Sequence, residues 1–249
     1  MLKTGVRKAT MEKKPMSQPA EPGQDDRSVA RRWLAKSLVG SVVLATLLFV
    51  SAGTVRWPMA WLLFVLFVAV AIATYLLVDP ALIAERSLNR RSTQKWDNVL
   101  MGVYGTLTVL VVPVVAGLDF RFDWSPELPV LVEIVALVVN IAGWSLHIWA
   151  MRANAFFAIV VRLQEDRHQT VATGGPYQWI RHPGYSGGIC FNLATPIMLG
   201  SLWGLIPATI AALLLVLRTA LEDRLLHRKL AGYVQYAATV RYRLVPGVW

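Results

Sequence analysis

The chain is expected to be an all-α integral membrane protein, and three observations carry that expectation. Hydrophobic residues make up 55% of its 249 residues and the mean hydropathy is +0.49. Six apolar stretches are long enough, or nearly so, to cross a hydrocarbon core that takes about 20 helical residues. The basic residues also cluster on one set of alternating connections, as the positive-inside rule requires of a multi-pass protein.

Residues 1–32 precede the first stretch. They are polar, Pro-containing and charged, with no apolar core of their own, so a disordered cytoplasmic tail is expected and not a cleaved signal peptide. The stretches at 34–52, 58–78 and 99–117 carry little polar content. Pro113 should kink the third, a fault tolerated where neighbouring helices satisfy the freed carbonyl. The intervening loop, 79–97, carries Glu85-Arg86 and Arg90-Arg91 and reads as solvated loop and helix ends.

The fourth stretch, 129–151, differs. Glu133, Asn140, His147 and Asn154 recur every seven residues, so they drift only about 20° per step and share one stripe. Such a stripe belongs in the bundle interior, where interhelical hydrogen bonds satisfy it. His147 and Asn154, at its inner end, are its candidates for approaching a ligand. The fifth stretch, 185–200, is short and joins the sixth, 202–221, through Gly200-Ser201-Leu202 as a tight hairpin. Six spans are expected, with five spans and a re-entrant piece as the competing count. Residues 222–240 mix Leu225, Leu226, Leu230, Tyr233, Val234 and Tyr236 with charges and read as one interfacial helix on the membrane surface. The chain thus divides into a tail (1–32), four membrane helices (33–153), and a loop, hairpin and terminal helix (154–249).

A net charge of +10 would raise nucleic acid as a partner for a soluble protein. Here only Arg56 and Arg121, of 25 Lys and Arg, fall on the side opposite the amino terminus. The charge is topological: both termini are expected in the cytoplasm, in a bacterial inner membrane, with no nucleic-acid partner. The single cysteine, Cys190, can form no internal disulfide. Four scattered histidines and one cysteine give no tetrahedral metal site, and neither a GxGxxG turn nor a Walker A loop occurs.

The longest inside loop, 154–182, is the unusual one. Residues 156–161 and 170–173 read as short extended pieces around a polar turn at 164–169. Gly174-Gly175-Pro176 follows as a turn, and Pro183 suits the first turn of the next helix. Backbone N–H groups from His182 to Tyr185 would then open a helix start that suits a carboxylate or phosphate. At the far end of the hairpin, Arg218 and Glu222 lie one helical turn apart and share a face.

Thr170-Val171-Ala172-Thr173-Gly174-Gly175-Pro176-Tyr177, then Arg181-His182-Pro183-Gly184-Tyr185-Ser186-Gly187, then Arg218 and Glu222-Asp223 resemble the isoprenylcysteine carboxyl methyltransferase family. The related phospholipid N-methyltransferases share the pattern. The resemblance covers roughly the carboxy-terminal 100 residues and implies an S-adenosylmethionine site outside any Rossmann domain, at the cytoplasmic membrane face. It implies that His182, Pro183, Gly184 and Tyr185 hold the methionine end, and that Thr170, Val171, Ala172, Thr173 and Tyr177 line the adenosine pocket. Glu222 would bind the cofactor's polar groups and Arg218 would face the substrate, these two being the catalytic candidates. Gln164 takes the place of a further cofactor contact, with Arg162 as its rival. The acidic pair is Glu-Asp where the family has Glu-Glu, so Asp223 carries a weaker assignment than Glu222.

The residue types suit that chemistry in their own right. A sulfonium donor carrying a zwitterion and an adenine needs a partner for its carboxylate, an acid for its amine or ribose, and aromatic walls. His182 with the helix start, Glu222, and Tyr177, Trp179 and Tyr185 are of those three types. Tyr177 and Trp179 equally suit an interfacial aromatic belt, and Arg218–Glu222 a structural ion pair. The expected function is methyl transfer to a lipophilic or lipid acceptor, by carboxyl O-methylation or amine N-methylation. The rivals are an NADPH-dependent sterol-type reductase, with Arg162, Arg167 and Arg181 as contacts for the extra phosphate, and a non-enzymatic carrier or scaffold.

Overall fold

The computed structural model describes residues 23–87 and 94–249. The expected tail up to residue 22, and the Arg90-Arg91 pair, lie outside the described residues. The remainder of that tail is not a tail: α1 (Gln24–Ala52) starts well before the apolar pattern. Asp25 and Asp26 stand in its first turn, where acids complement the helix dipole. Ala30 packs against Leu82, Ile83, Ile148 and Met151, which anchors the early turns. Gly53, at φ 69°, takes the left-handed position that ends the helix.

α2 (Pro58–Leu77) returns along α1, and the short α3 (Pro80–Ser87) packs against the start of α1. α4 (Lys95–Thr106), a π-helical turn (Leu107–Val111) and α5 (Val112–Phe122) form one continuous span. The π turn shows how Pro113 is accommodated. The proline ring cannot share space with the carbonyl one turn earlier, and widening the preceding turn relieves that clash within the helix. α6 (Val130–Ala153), α7 (Pro183–Met198), α8 (Leu205–Lys229) and α9 (Tyr233–Thr239) complete the fold.

By length and composition, five helical segments among the described residues suit a membrane crossing: α1, α2, α4–α5, α6 and α8. α7, the expected fifth span, has 16 residues, about 24 Å at the usual helical rise. It nevertheless runs antiparallel to α6 along most of its length. Gly184 adjoins Ala150, Gly187 adjoins Gly143, and Gly200 adjoins Glu133. At the middle crossing a Cβ on Gly143 would lie 2.8 Å from the Gly187 carbonyl, so only two glycines allow this backbone approach.

The polar stripe of α6 faces α7 and the loop before it. Asn140 Nδ2 donates to Thr195 Oγ1 at 2.9 Å, and His147 Nδ1–H to the Gly184 carbonyl at 3.0 Å. Asn154 Nδ2 donates to the Tyr177 hydroxyl at 3.2 Å. Hydrogen bonds to α7 and to the loop before it account for these three.

Two expectations fail locally. Among the described residues there is no strand, and the pieces at 156–161 and 170–173 are irregular. The interfacial helix expected over 222–240 is also broken. α8 stops at Lys229, Gly232 adopts φ 81°, and α9 folds back instead of lying on the surface. Tyr233 and Tyr236 are buried against Ala150 and Tyr177, with the Tyr236 hydroxyl donating to the Tyr177 carbonyl at 2.8 Å. The closing segment then meets the start of α7: the N–H groups of Arg181 and His182 donate to the carbonyls of Tyr242 and Arg243, each at 2.9 Å.

Candidate active site

Where α6 ends and α7 begins, the 154–182 loop roofs an open cavity of about 190 Å³. Its wall brings together Thr170, Val171, Ala172, Tyr177, His182, Gly184, Tyr185, Arg218 and Glu222. Three of the expected positions are not on that wall. Thr173 is exposed, and Pro183 is buried in the first turn of α7. Gln164 is buried behind the loop, donating from Nε2 to the Phe156 carbonyl at 2.8 Å and accepting from Arg167 at 2.7 Å. Its rival Arg162 does reach the wall, paired with Glu85 and, at 3.1 Å, with Asp166.

The two neighbouring acids of α8 diverge. Glu222 opens on the cavity and accepts from the Tyr185 hydroxyl. Asp223 turns away and is buried. Around it lie Arg181 Nε at 3.0 Å, His182 Nε2 at 3.3 Å, the Tyr233 hydroxyl at 2.8 Å and Arg243 Nε at 2.8 Å. It ties the start of α7, α9 and the closing segment to α8. Burial pushes the phenols of Tyr177, Tyr233 and Tyr236 above their ordinary value, so each stays a neutral hydroxyl.

Arg218 is held in a way the sequence did not suggest. Its Nε lies 2.7 Å from Asp97 Oδ1 and its Nη2 donates to the Ile159 carbonyl at 2.6 Å, while its guanidinium sits 5.2 Å above the Tyr185 ring. Asp97 is fully buried and also accepts from the Val161 N–H at 2.7 Å. One aspartate thus fixes both Arg218 and the loop. The only sequence signal for it is a lone acid in the first turn of an apolar helix.

The helix-start anion site expected at His182–Tyr185 is mostly spent. The His182 N–H goes to Arg243, Pro183 has none, and those of Tyr185 and Ser186 go to the His182 carbonyl at 3.0 and 3.2 Å. Another cation was missed altogether. Arg86, on α3, lines the cavity with its guanidinium 5.0 Å from the Phe157 ring and 3.4 Å from the Phe157 carbonyl. Burial pulls its pKa below the ordinary arginine value while leaving it cationic at neutral pH. Arg162, Arg181 and Arg218 each have a carboxylate partner. Arg86, the fourth arginine of this wall, has none among the described residues.

Fold and site together define a multi-pass helical membrane protein with a loop-roofed, arginine- and tyrosine-lined cavity at one end. The family described as phospholipid methyltransferase matches residues 131–231, which run from α6 through α8 and include the loop and both acids. No curated protein matches the chain. Arg86 and Asp97 lie outside the matched stretch.

Proposed function

We propose that the protein is an S-adenosylmethionine-dependent methyltransferase that acts on a lipophilic acceptor at the cytoplasmic face of a membrane. The observation that carries this reading is the single cavity gathering Thr170–Ala172, Tyr177, Gly184, Tyr185, Arg218 and Glu222 from separated segments, all inside the matched stretch. The donor set fits the cofactor. Glu222 has, among the described residues, only the Tyr185 hydroxyl as partner, so its carboxylate is available to an amine or to ribose hydroxyls. The ring of Tyr177 suits a cation, that of Tyr185 being already covered by Arg218. When bound, S-adenosylmethionine supplies a methyl group on a positively charged sulfur.

The chain's task is then mainly to hold donor and acceptor in line while keeping water out. Thr170, Val171, Ala172 and Tyr177 line the adenosine end in this reading. His182, tied to Asp223, orients the start of α7 beneath it. Arg218, fixed by Asp97 and Ile159, keeps Nη1 outside those bonds for the acceptor. A carboxylate acceptor needs no base, whereas an amine must lose a proton, which Glu222 is placed to take. Charge supports the cytoplasmic assignment: Arg121 packs beside Gly53 at the opposite end from the cavity, away from the other basic segments. The reductase alternative is disfavoured because Arg162, Arg167 and Arg181 are already engaged by Glu85, Gln164 and Asp223.

The test is ligand binding by the purified protein in neutral detergent. S-adenosylmethionine and S-adenosylhomocysteine should bind, with affinity falling at least tenfold in Glu222→Gln. NADPH binding alone would transfer the protein to the reductases. Binding of none of the three by folded protein would end the enzyme reading.

A further inference from the structure

A second cavity, of about 280 Å³, lies between α1, α2, α3 and α6. Its wall is mostly apolar, with Phe67, Val70, Ile83 and Met151 prominent. Two residues, Arg86 and His147, line both this cavity and the first. They therefore mark where the two meet.

The polar groups at that junction are not balanced by the protein. Arg86 is a half-buried cation, with one long carbonyl contact and no carboxylate partner among the described residues. A partly desolvated charge without a counter-ion is costly, and in a membrane protein it marks a functional position. Trp144, on the same wall one turn deeper along α6, has its indole N–H buried without a hydrogen-bond partner among the described residues. His147 donates from Nδ1 to the Gly184 carbonyl, a bond that ties the junction to the first turn of α7. A cation without a carboxylate partner beside an apolar space asks for a ligand with an oxyanion at one end and a hydrocarbon chain at the other.

We propose that the second cavity is the binding site of an anionic amphiphile, a long apolar chain bearing a carboxylate or phosphate monoester, with its headgroup held by Arg86. Its chain lies among α1, α2 and α6. That this amphiphile is also the methyl acceptor rests on the function proposed above, because Arg86 and His147 also line the first cavity, whose wall carries Tyr185 and Glu222. Arg86, and not only Arg218, then sets the sign of charge that the site accepts.

The test is competition with tritiated oleate on the purified full-length protein in neutral detergent, using oleate, oleyl phosphate, oleyl alcohol and inorganic phosphate. Wild type should bind both anionic amphiphiles at least tenfold more tightly than the alcohol. Arg86→Gln should abolish that preference and Arg86→Lys should keep most of it. Ser37→Trp, which adds bulk at the partly exposed α1 wall of the second cavity, should weaken all three chain ligands tenfold or more. Variants are compared only where their melting temperatures match wild type, and Arg86→Lys preserves the test if Arg86→Gln fails to fold.

Preference surviving in Arg86→Gln would overturn the headgroup assignment, and so would equal binding of alcohol and anions by wild type. Unchanged oleate affinity in Ser37→Trp would remove the chain from this cavity. Inorganic phosphate competing as well as oleyl phosphate would reduce the site to one for a free anion. A loss in Arg86→Gln confined to S-adenosylhomocysteine would assign Arg86 to the donor instead. Because adenosyl binding is measured separately, amphiphile selectivity without it would retain the lipid site and remove the methyltransferase reading, and the converse holds.

Discussion

Arg218 and Asp97 form a buried ion pair, Nε to Oδ1 2.7 Å, between helices far apart in the chain, and the same aspartate holds the loop through the Val161 N–H. Removing one member of such a pair strands a charge, which costs about 3–5 kcal/mol. Asp97→Ala is therefore expected to lower the melting temperature sharply. Asp97→Ala combined with Arg218→Met should recover much of that loss, since neither charge remains. Equal instability of the single and double variants, measured by thermal unfolding in detergent, would show that the loop contact and not the charge dominates.

Glu222 and Asp223 are neighbours in sequence with different work. Asp223→Asn leaves Arg181 and Arg243 without their shared carboxylate, so a loss of about 3 kcal/mol in stability is expected. Glu222→Gln removes an acid whose hydrogen-bond partner among the described residues is one tyrosine hydroxyl, so the melting temperature should hold while adenosyl-ligand affinity falls at least tenfold. Reversal of that pattern would exchange the roles of the two acids.

How far the sequence revealed this arrangement depended on the range of each interaction. The membrane helices were legible because hydrophobicity accumulates locally, and so was the α6 stripe, because Asn140, His147 and Asn154 repeat at helical spacing. The loop and the start of α7 were legible through their turn residues. Arg86 and Asp97 were not, because a basic or acidic residue in the 79–97 loop reads as solvated unless α1, α6 and α8 are known to surround it. The break after α8 had a signal, Gly232, which the alternation of leucines and charges obscured. Likewise the early turns of α1 are polar, and only the burial of Ala30 against α3 explains their order.

The α6–α7 contact rests on two glycines, and their replacement should be felt at once. A Cβ on Gly143 would meet both the Gly187 carbonyl and the Phe191 nitrogen at 2.8 Å, and backbone atoms cannot move aside as a side chain can. Gly143→Ala should cost about 1–3 kcal/mol, the usual range for overpacking. It should also weaken ligand binding, since His147 and Gly184 are joined across the same interface. Gly102→Ala, where nothing lies within 4 Å of the added carbon, should be neutral or slightly stabilising. A melting temperature for Gly143→Ala equal to wild type would mean that the two helices can separate freely at this crossing.

The closing segment is expected to be indispensable to the site although no cavity residue belongs to it. The carbonyls of Tyr242 and Arg243 accept from the N–H groups of Arg181 and His182, the Leu244 carbonyl accepts from Ser186 Oγ at 2.7 Å, and Arg243 Nε reaches Asp223. Truncation before Tyr242 would leave two buried N–H donors at the start of α7 unsatisfied, each costing about 1–3 kcal/mol where water cannot replace the partner, while Ser186 Oγ would keep the His182 carbonyl. The start of α7 carries Gly184 and Tyr185 into the cavity, so its loosening should reduce adenosyl-ligand affinity as well as thermal stability. Ser186→Ala removes a donor and its need together and should cost much less. If the truncated protein bound ligand and melted as the full chain does, the start of α7 would be held by α6 and Asp223 alone.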